Sequence, residues 1–316
     1  MALPTMTRVS PADPGDIPGG ADPLGVESPG QPTSGQLFVR RVVGHGSFVF
    51  AATIIVGIIL MALLAPWLAP HDPYNQDLGN RLVYPIWTEN GTWLHPLGTD
   101  ALGRDYLSRV IYGSQISLII GFTAMTISGL IGTTMGVLAG YFGGRVDMVV
   151  TFLLTTRLTL PVVMVALALV VVVGGSLYTV ILVLGFLLWD RFTVVMRSTT
   201  QQVRSLDYVA AAEAIGCSTR RIILSEIMPN VLGNLLVIAT FEVAHSILLE
   251  AALSFLGVGV QPPTPSWGLM VAEGRDYMLF EPYLIMIPGF CIFTLVLAIN
   301  MLGDGARDIL APENRS

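Results

Sequence analysis

Three titratable residues lie inside one long apolar run, where ionisable side chains are rare: Glu242, His245 and Glu250. On a helix, Glu242 and His245 share one face, and Glu250 lies about 80° away from that face. Such groups can relay protons, as in pumps and proton-coupled carriers, or they can line a water-filled permeation path. They can also form structural pairs, so the residues alone leave three interpretations open.

A fourth charged residue, Arg157, lies in another apolar run and is followed by Pro161. A charge at the middle of a bilayer costs about 2.5 to 3.5 kcal/mol on insertion scales. We therefore expect this side chain to extend to the membrane surface, with a contact to a partner subunit or a transport path as the alternative. Together, Arg157, Glu242, His245 and Glu250 are the candidates for a translocation path.

Enzyme chemistry has little support in the sequence. The sixteen basic residues are all Arg, so a phosphate-binding loop or a Schiff-base site that requires Lys cannot be built. His95 has no Cys or His at ligand spacing, and no nucleophile is paired with a base. Cys217 and Cys291 are interpreted as small apolar side chains without a disulfide. We predict no catalytic site, no metal site and no cofactor in this chain, so ATP and magnesium would belong to another chain.

The elements that must position these residues are membrane helices. Of the 316 residues, 53% are hydrophobic and 12% are charged, whereas an ordinary soluble domain has about 25% charged residues. A span needs about 20 apolar residues, and the first run is too long for the core of a cleaved signal peptide. The sequence predicts an all-α membrane protein with six transmembrane helices, at about 48–69, 116–141, 148–173, 177–196, 231–256 and 283–302.

Arginine placement predicts the orientation, because basic residues near helix ends favour the cytoplasm. Twelve of the sixteen arginines fall on the side of the two termini, and four fall on the opposite side. We therefore expect both termini in the cytoplasm. The predicted organisation begins with a disordered Pro- and Gly-rich tail (1–36) and ends with a C-terminal tail (313–316). Between them lies a membrane domain (37–312), with outer loops at 70–115 and 257–282 and a cytoplasmic loop at 199–230.

The second predicted span carries small residues at every fourth position, which places them on one helical face. Small side chains let helix backbones approach closely in lipid. We interpret the stripe as a packing groove, with a substrate-lining role as the alternative. Its members are Ala124, Ser128, Gly132, Gly136 and Gly140.

The segment HPLGTDALGRDYLSRVIYGSQISL, residues 95–118, precedes this span. Asp105 and Arg109 are four residues apart, so we expect them to pair on one helical face, worth about 0.2 to 0.5 kcal/mol. The segment predicts an interfacial helix that leads into the second span.

A polar segment at residues 208–230 separates two apolar runs. Tyr208 to Ile215 favours a helix, Gly216 and Ser218 favour a corner, and residues 219–228 favour a second short helix that Pro229 would end. Alanines keep the first helix slim, and an apolar stripe on the second could lie on the membrane helices. The apolar stripe on the second helix consists of Ile222, Ile223 and Ile227. Two helices joined at a rigid corner could transmit the motion of a partner protein to the membrane helices. The alternative is that the segment is an ordinary cytoplasmic connector.

The polar segment resembles the EAA loop of permease subunits in bacterial ATP-binding-cassette (ABC) importers. Ala210, Ala211, Ala212, Gly216 and Pro229 match that pattern, although Ala210 stands where the pattern has Glu. HPLGTDALGRDYLSR, LSFLGVGVQPPTPSWGLM and NMLGDGARDIL are similar to the C-type permease of the dipeptide, oligopeptide and nickel branch. The resemblance implies that the ATPase-coupling residues are Tyr208, Ala210, Ala211, Ala212, Glu213, Gly216, Cys217, Ser218 and Pro229.

This resemblance implies a type I importer permease fold in a bacterial inner membrane and a set of partners. A second homologous permease would complete the path, two ATPases that bind ATP and magnesium would dock on the cytoplasmic loop, and an extracytoplasmic binding protein would deliver peptides. No nucleic acid is expected. The alternative from another class is a self-sufficient proton-coupled secondary transporter.

Overall fold

The computed structural model describes residues 44–310, so the predicted tails 1–36 and 313–316 lie outside the described residues. Within this part of the chain the regular elements are helical, apart from one isolated bridge between Thr99 and Asp105. Five helical segments are long and apolar enough to cross a membrane, one of which, Leu177–Arg204, consists of two consecutive helices. A bent pair of helices provides a sixth span if it is counted as one. The all-α membrane fold is therefore confirmed.

Helix bounds follow the apolar runs, with differences at their ends. The second span begins at Tyr106, ten residues before the predicted start, because the interfacial helix and the span are one continuous helix. The α-helices are α1 (Gly46–Leu63), α2 (Ala65–Leu68), α3 (Tyr106–Phe142), α4 (Gly144–Leu158), α5 (Val162–Val173), α6 (Leu177–Leu187), α7 (Asp190–Arg204), α8 (Asp207–Ala214), α9 (Thr219–Arg221), α10 (Met228–Phe255), α11 (Trp267–Gly274) and α12 (Tyr283–Leu310).

The third predicted span, 148–173, is not one straight helix. α4 and α5 are bent by 83° relative to each other. The cause is Pro161, which lacks a backbone N–H and disfavours the helical conformation at Leu160. The expectation of an unbroken third span is wrong, and the bend provides a non-helical stretch within the bundle.

α3 lies at the centre of the fold, and its small-residue stripe faces α7. A Cβ added to Gly136 or to Gly140 would be 2.7 Å from a backbone oxygen of α7, that of Thr193 or Arg197 respectively. Thr193 Oγ1 also donates to the carbonyl oxygen of Gly132 at 3.2 Å. Because Ala124 and Ser128 are buried as well, the prediction of a packing groove is confirmed.

The bundle has two distinct ends. At one end, Arg104 of the first long loop (residues 69–105) and Arg109 of α3 contact Glu273 of the second long loop (residues 256–282). At the other end, α3 finishes beside the polar segment, where Tyr141 contacts Glu213. The two long loops therefore lie at one end of α3 and the polar segment lies at the other.

Candidate functional site

The first helix of the polar segment, α8, ends in a defined corner. Gly216 has a φ of +81°, a conformation that favours glycine. The N–H of Gly216 donates to Glu213 O and the N–H of Cys217 donates to Ala212 O, both at 3.0 Å. These two bonds form a Schellman motif, so the predicted corner has a specific geometry instead of being a loose connection.

The second predicted helix does not end at Pro229. Thr219 begins a helix that continues without a break to Phe255. Residues Ile222–Ile227 form a π-helical turn immediately before Pro229. The wider turn accommodates the missing N–H and the ring of the proline, which lies at the start of α10. The expectation that Pro229 terminates the helix is wrong, and the polar segment is instead fused rigidly to a membrane span.

An apolar cluster holds the polar segment against the bundle. Ile222 and Ile227 are buried, and they pack with Val137 and Tyr141 of α3 and with Met196 of α7. Ile223 packs on the periphery of the same cluster, and Cys217 does so too. The predicted apolar stripe is therefore confirmed, and it attaches the polar segment to α3 and α7.

Two polar contacts complete this attachment. Tyr141 Oη lies 3.2 Å from Glu213 Oε1, and the side-chain amide of Asn230 donates to Tyr208 Oη at 3.0 Å. Val209 is the buried residue of α8, so the opposite face of the helix remains open. Exposed members of the predicted coupling set are Tyr208, Ala210, Ala211, Glu213, Gly216, Ser218 and Pro229, while Ala212 and Cys217 are half-buried.

Arg157 has an internal partner, which differs from the expected extension to the membrane surface. Its Nε and Nη2 atoms donate to the carbonyl oxygen of Leu187, at 2.9 and 2.7 Å. Leu187 is the last residue of α6, and a helix end leaves carbonyl groups without intrahelical partners. Asp190, the first residue of α7, lies 3.6 Å from Arg157 Nη1. Arg157 thus joins the bend between α4 and α5 to the interruption between α6 and α7.

Glu242 and His245 form a structural pair that extends to α7. The His245 Nδ1 atom lies 3.3 Å from one carboxylate oxygen of Glu242, and Arg191 Nη1 lies 3.2 Å from the other. Glu242 is buried, whereas the side chain of Arg191 is 56% exposed. The contacts therefore favour the structural pairing that the sequence left open.

Glu250 belongs to a different group of side chains. Its Oε1 atom accepts hydrogen bonds from Ser254 at 2.8 Å and from Ser266 at 2.9 Å. Ser266 also caps α11 by accepting from the backbone N–H of Leu269. Glu250 therefore anchors the second long loop, and among the described residues its hydrogen bonds do not connect it to Glu242.

A cluster of four charged residues, three of them buried and Glu273 half-buried, connects the two long loops. Arg109, with its side chain 1% exposed, contacts Asp100 at 2.5 Å and Glu273 at 2.8 Å. Arg104 contacts Asp100 at 2.6 Å and Glu273 at 3.2 Å. The expected pair of Asp105 with Arg109 is wrong, because Asp105 caps α3 by accepting from the N–H of Ser108 at 2.8 Å.

Sequence reasoning missed this cluster because Glu273 lies 164 residues beyond Arg109. It also missed a neighbour of His95. His71, 24 residues earlier in the chain, brings its imidazole ring to a centroid distance of 4.9 Å from that of His95. His71 and His95 both lie in the first long loop, and the turns that bring them together cannot be predicted from the spacing of residues in the sequence.

Comparisons with protein families agree with this architecture. Residues 132–316 match the model described as "Binding-protein-dependent transport system inner membrane component". Residues 33–85 match "N-terminal TM domain of oligopeptide transport permease C". The two matches cover the polar segment and α1, respectively.

Individual proteins are similar over most of their length. A di/tripeptide transport system permease protein of Pseudomonas aeruginosa is 40% identical over 256 residues, which cover 81% of this chain and 84% of that protein. A dipeptide transport system permease protein of Haemophilus influenzae is 37% identical, covering 81% and 87% respectively. A structure of inward-facing conformations of the MetNI methionine ABC transporter has a similar fold, with a TM-score of 0.53 and 16% sequence identity. The similar region covers 65% of this chain and 97% of that chain.

These matches confirm the resemblance to C-type permeases that the sequence motifs indicated. They do not favour the alternative of a self-sufficient proton-coupled transporter. The extent of the family match, together with a helical bundle that carries a rigid polar segment, shows that the chain belongs to the binding-protein-dependent transport system inner membrane components and is a multi-pass, non-catalytic permease subunit of an ABC importer.

Proposed function

We propose that this permease transports peptides and that its polar segment couples transport to partner ATPases. The proposal for peptides is supported by the similar permeases of P. aeruginosa and H. influenzae, which are named for di/tripeptide and dipeptide transport. The candidate cargoes are dipeptides, longer peptides, glutathione and nickel complexes. The binding protein that delivers the cargo would make most of the selection.

The geometry of α8 is the observation that carries the coupling proposal. The helix exposes Ala210 and Ala211, and the side chain of Ile215 is 80% exposed at its end. Such a slim helix with an apolar tip suits a groove on another protein. Because the Schellman corner and the buried Ile222 and Ile227 fix α8 to the bundle, a partner that moves α8 would also move α3 and α10.

The proposed assembly contains this chain, a second homologous permease, two ATP-binding-cassette subunits that bind ATP and magnesium, and an extracytoplasmic binding protein. In the bilayer, residues 37–312 form the membrane domain, both termini and the 199–230 loop face the cytoplasm, and the loops at 70–115 and 257–282 face outwards. Twelve inner against four outer arginines support this orientation. No nucleic acid takes part.

An apolar groove beside the polar segment supports the proposal of a path shared by two permeases. It has a volume of about 570 Å³ and lies between α3, α7 and α10. Gly129, Thr133, Phe192, Met228 and Leu235 contribute to its lining. A second permease that covered this groove would bury it and would complete the path between the two chains.

The translocation residues proposed from the sequence do not line this groove. Arg157, Glu242, His245 and Glu250 are absent from its wall. We propose that they act at the path's margins by holding the broken helices and the second long loop in position. His245, which is half-buried, is the member best placed to meet a solute.

The experiment is a reconstitution with the partner subunits, in which the loaded binding protein stimulates ATP hydrolysis. Ala211→Arg places a bulky charge on the exposed face of α8. We expect it to reduce stimulated ATPase activity at least tenfold. Gln201→Arg, at an exposed position of α7, is the control and should retain activity. Unchanged stimulation with Ala211→Arg would contradict coupling through α8, and comparison of binding proteins loaded with each cargo would test the substrate separately.

A further inference from the structure

Three side chains with metal-binding atoms converge at the end of the bundle that carries the long loops. The atoms are Nδ1 of His71, Nδ1 of His95 and Oδ1 of Asp105, and they lie within 4.8 Å of one another. Asp105 Oδ1 is 2.9 Å from the His95 nitrogen and 3.6 Å from the His71 nitrogen. Atoms that bind one tetrahedral zinc ion at 2.0 to 2.2 Å are about 3.4 Å apart, so small side-chain movements bring this set to ligand geometry.

The environment of His71 provides a second, independent observation. Its Nδ1 atom is buried and has no hydrogen-bond partner among residues 44–310. Buried polar atoms without a partner are rare in native proteins, and an ion is one of the ordinary explanations for such an atom. The orphaned nitrogen belongs to the same group of atoms as the carboxylate of Asp105, so a bound cation would satisfy it.

A network of hydrogen bonds holds the group in place. Ser108 donates to Asp105 Oδ2 through its backbone N–H at 2.8 Å and through its hydroxyl at 2.7 Å. The backbone N–H of His71 in turn donates to the Ser108 hydroxyl at 3.0 Å. Oδ2 of Asp105 is therefore occupied, whereas Oδ1 is directed at the two imidazoles. Outer hydrogen bonds of this kind orient metal ligands in proteins.

We propose that His71, His95 and Asp105 form a binding site for a zinc-class divalent cation, which no step of the proposed transport function requires. Two imidazole nitrogens and one carboxylate suit zinc, nickel or cobalt, whereas calcium and magnesium prefer sets of oxygen ligands. The His71 side chain is 34% exposed, so water can supply a fourth ligand. The cation would join the beginning of the first long loop, its end and the first turn of α3.

The test measures zinc binding to the full-length chain, purified in detergent through an affinity tag that contains no histidine. Isothermal titration and metal analysis after dialysis against zinc should give one ion per chain. Loss of outer-shell partners alone commonly costs 10- to 100-fold in affinity, so His71→Ala and His95→Ala should each weaken binding at least tenfold. His45→Ala removes a histidine that lies before α1, and it should leave the zinc affinity unchanged.

Asp105→Asn separates loss of the metal ligand from loss of the fold. Asparagine caps a helix about as well as aspartate, so this variant should remain folded while its zinc affinity falls at least tenfold. Cobalt provides a spectroscopic probe, because a site with nitrogen ligands gives visible absorption bands that should disappear in His71→Ala. At the same zinc concentration, zinc should also raise the unfolding temperature of the unsubstituted chain more than that of Asp105→Asn.

Equal zinc affinity in the unsubstituted chain, His71→Ala and Asp105→Asn would overturn the proposal, because it would locate the binding on scattered surface carboxylates. The absence of stoichiometric zinc from the unsubstituted chain would overturn it as well.

Discussion

Gly136 approaches Thr193 so closely that a Cβ added to the glycine would be 2.7 Å from the threonine carbonyl oxygen. This contact joins the backbones of α3 and α7 in the C-terminal part of α3. Apolar area drives little association between helices in lipid, so close packing of this kind must provide much of the attraction. The same stripe continues to Gly140, near the polar segment, and it links that segment to the centre of the fold.

Gly136→Ala should destabilise the protein by about 1 to 3 kcal/mol, because an added methyl group forces α3 away from α7. The measurement is thermal or denaturant unfolding of the full chain in detergent. Gly57→Ala is the matched control, since none of the described residues lies within 4 Å of a Cβ at that position in α1. The control should be neutral or slightly stabilising. Equal stability of the two variants would show that α3 and α7 do not require this close contact.

Arg109→Gln should destabilise the protein by about 3 to 5 kcal/mol, because it removes a buried charge that pairs with the buried carboxylate of Asp100 and with the half-buried carboxylate of Glu273. Unfolding of the full chain is again the measurement. Arg275→Gln removes an exposed pair with Asp276 at 3.5 Å, and exposed pairs contribute at most about 1 kcal/mol. A loss of similar size in both variants would argue against the cluster as the connection between the long loops.

Arg157→Lys should destabilise the protein by about 1 to 3 kcal/mol, although it keeps the charge. A lysine cannot reproduce the two guanidinium hydrogen bonds to the carbonyl oxygen of Leu187. Arg145→Lys, at an exposed position near the start of α4, should have no measurable effect. An unchanged unfolding midpoint for Arg157→Lys would mean that the two guanidinium hydrogen bonds to the carbonyl oxygen of Leu187 do not contribute to stability.

Gly216→Pro should abolish stimulation of ATP hydrolysis in the reconstituted importer while the subunits still assemble. Proline cannot adopt the φ of +81° and cannot donate the bond to Glu213 O. Gly216→Asn is the control, because asparagine tolerates this left-handed conformation, and it should retain most of the stimulation. If the proline variant were stimulated normally, the corner between α8 and the π-helical turn would not transmit motion.

The purified chain alone in liposomes should show no peptide uptake driven by a pH gradient. Glu242 and His245 pair with each other, whereas Glu250 accepts hydrogen bonds from Ser254 and Ser266, so the three residues do not form one chain of titratable groups. The family also assigns energy coupling to other subunits. The measurement is uptake of labelled dipeptide with and without the gradient, with a complete importer plus ATP as the positive control. Gradient-driven uptake by the single chain would restore the secondary-transporter hypothesis.

The sequence by itself determined the features that depend on neighbouring residues. Apolar runs specify membrane spans because backbone groups in lipid must bond within a helix. Small residues at every fourth position specified the face of α3 that meets α7. Gly216 specified a corner, since few residues adopt its backbone conformation. The absence of Lys and the length of the motif matches also indicated the class of transporter before any contact was known.

Only the tertiary structure decided which distant side chains meet. Arg109 bonds to Glu273 rather than to Asp105, and Arg157 bonds to the end of α6, because buried charges take the nearest available partner in space. Ile222 and Ile227 of the π-helical turn likewise pack against Val137 and Tyr141 of α3, about 80 residues earlier in the chain. His71 joins His95 through turns of the first long loop. Such partners are selected when the helices pack, and local periodicity carries no information about them.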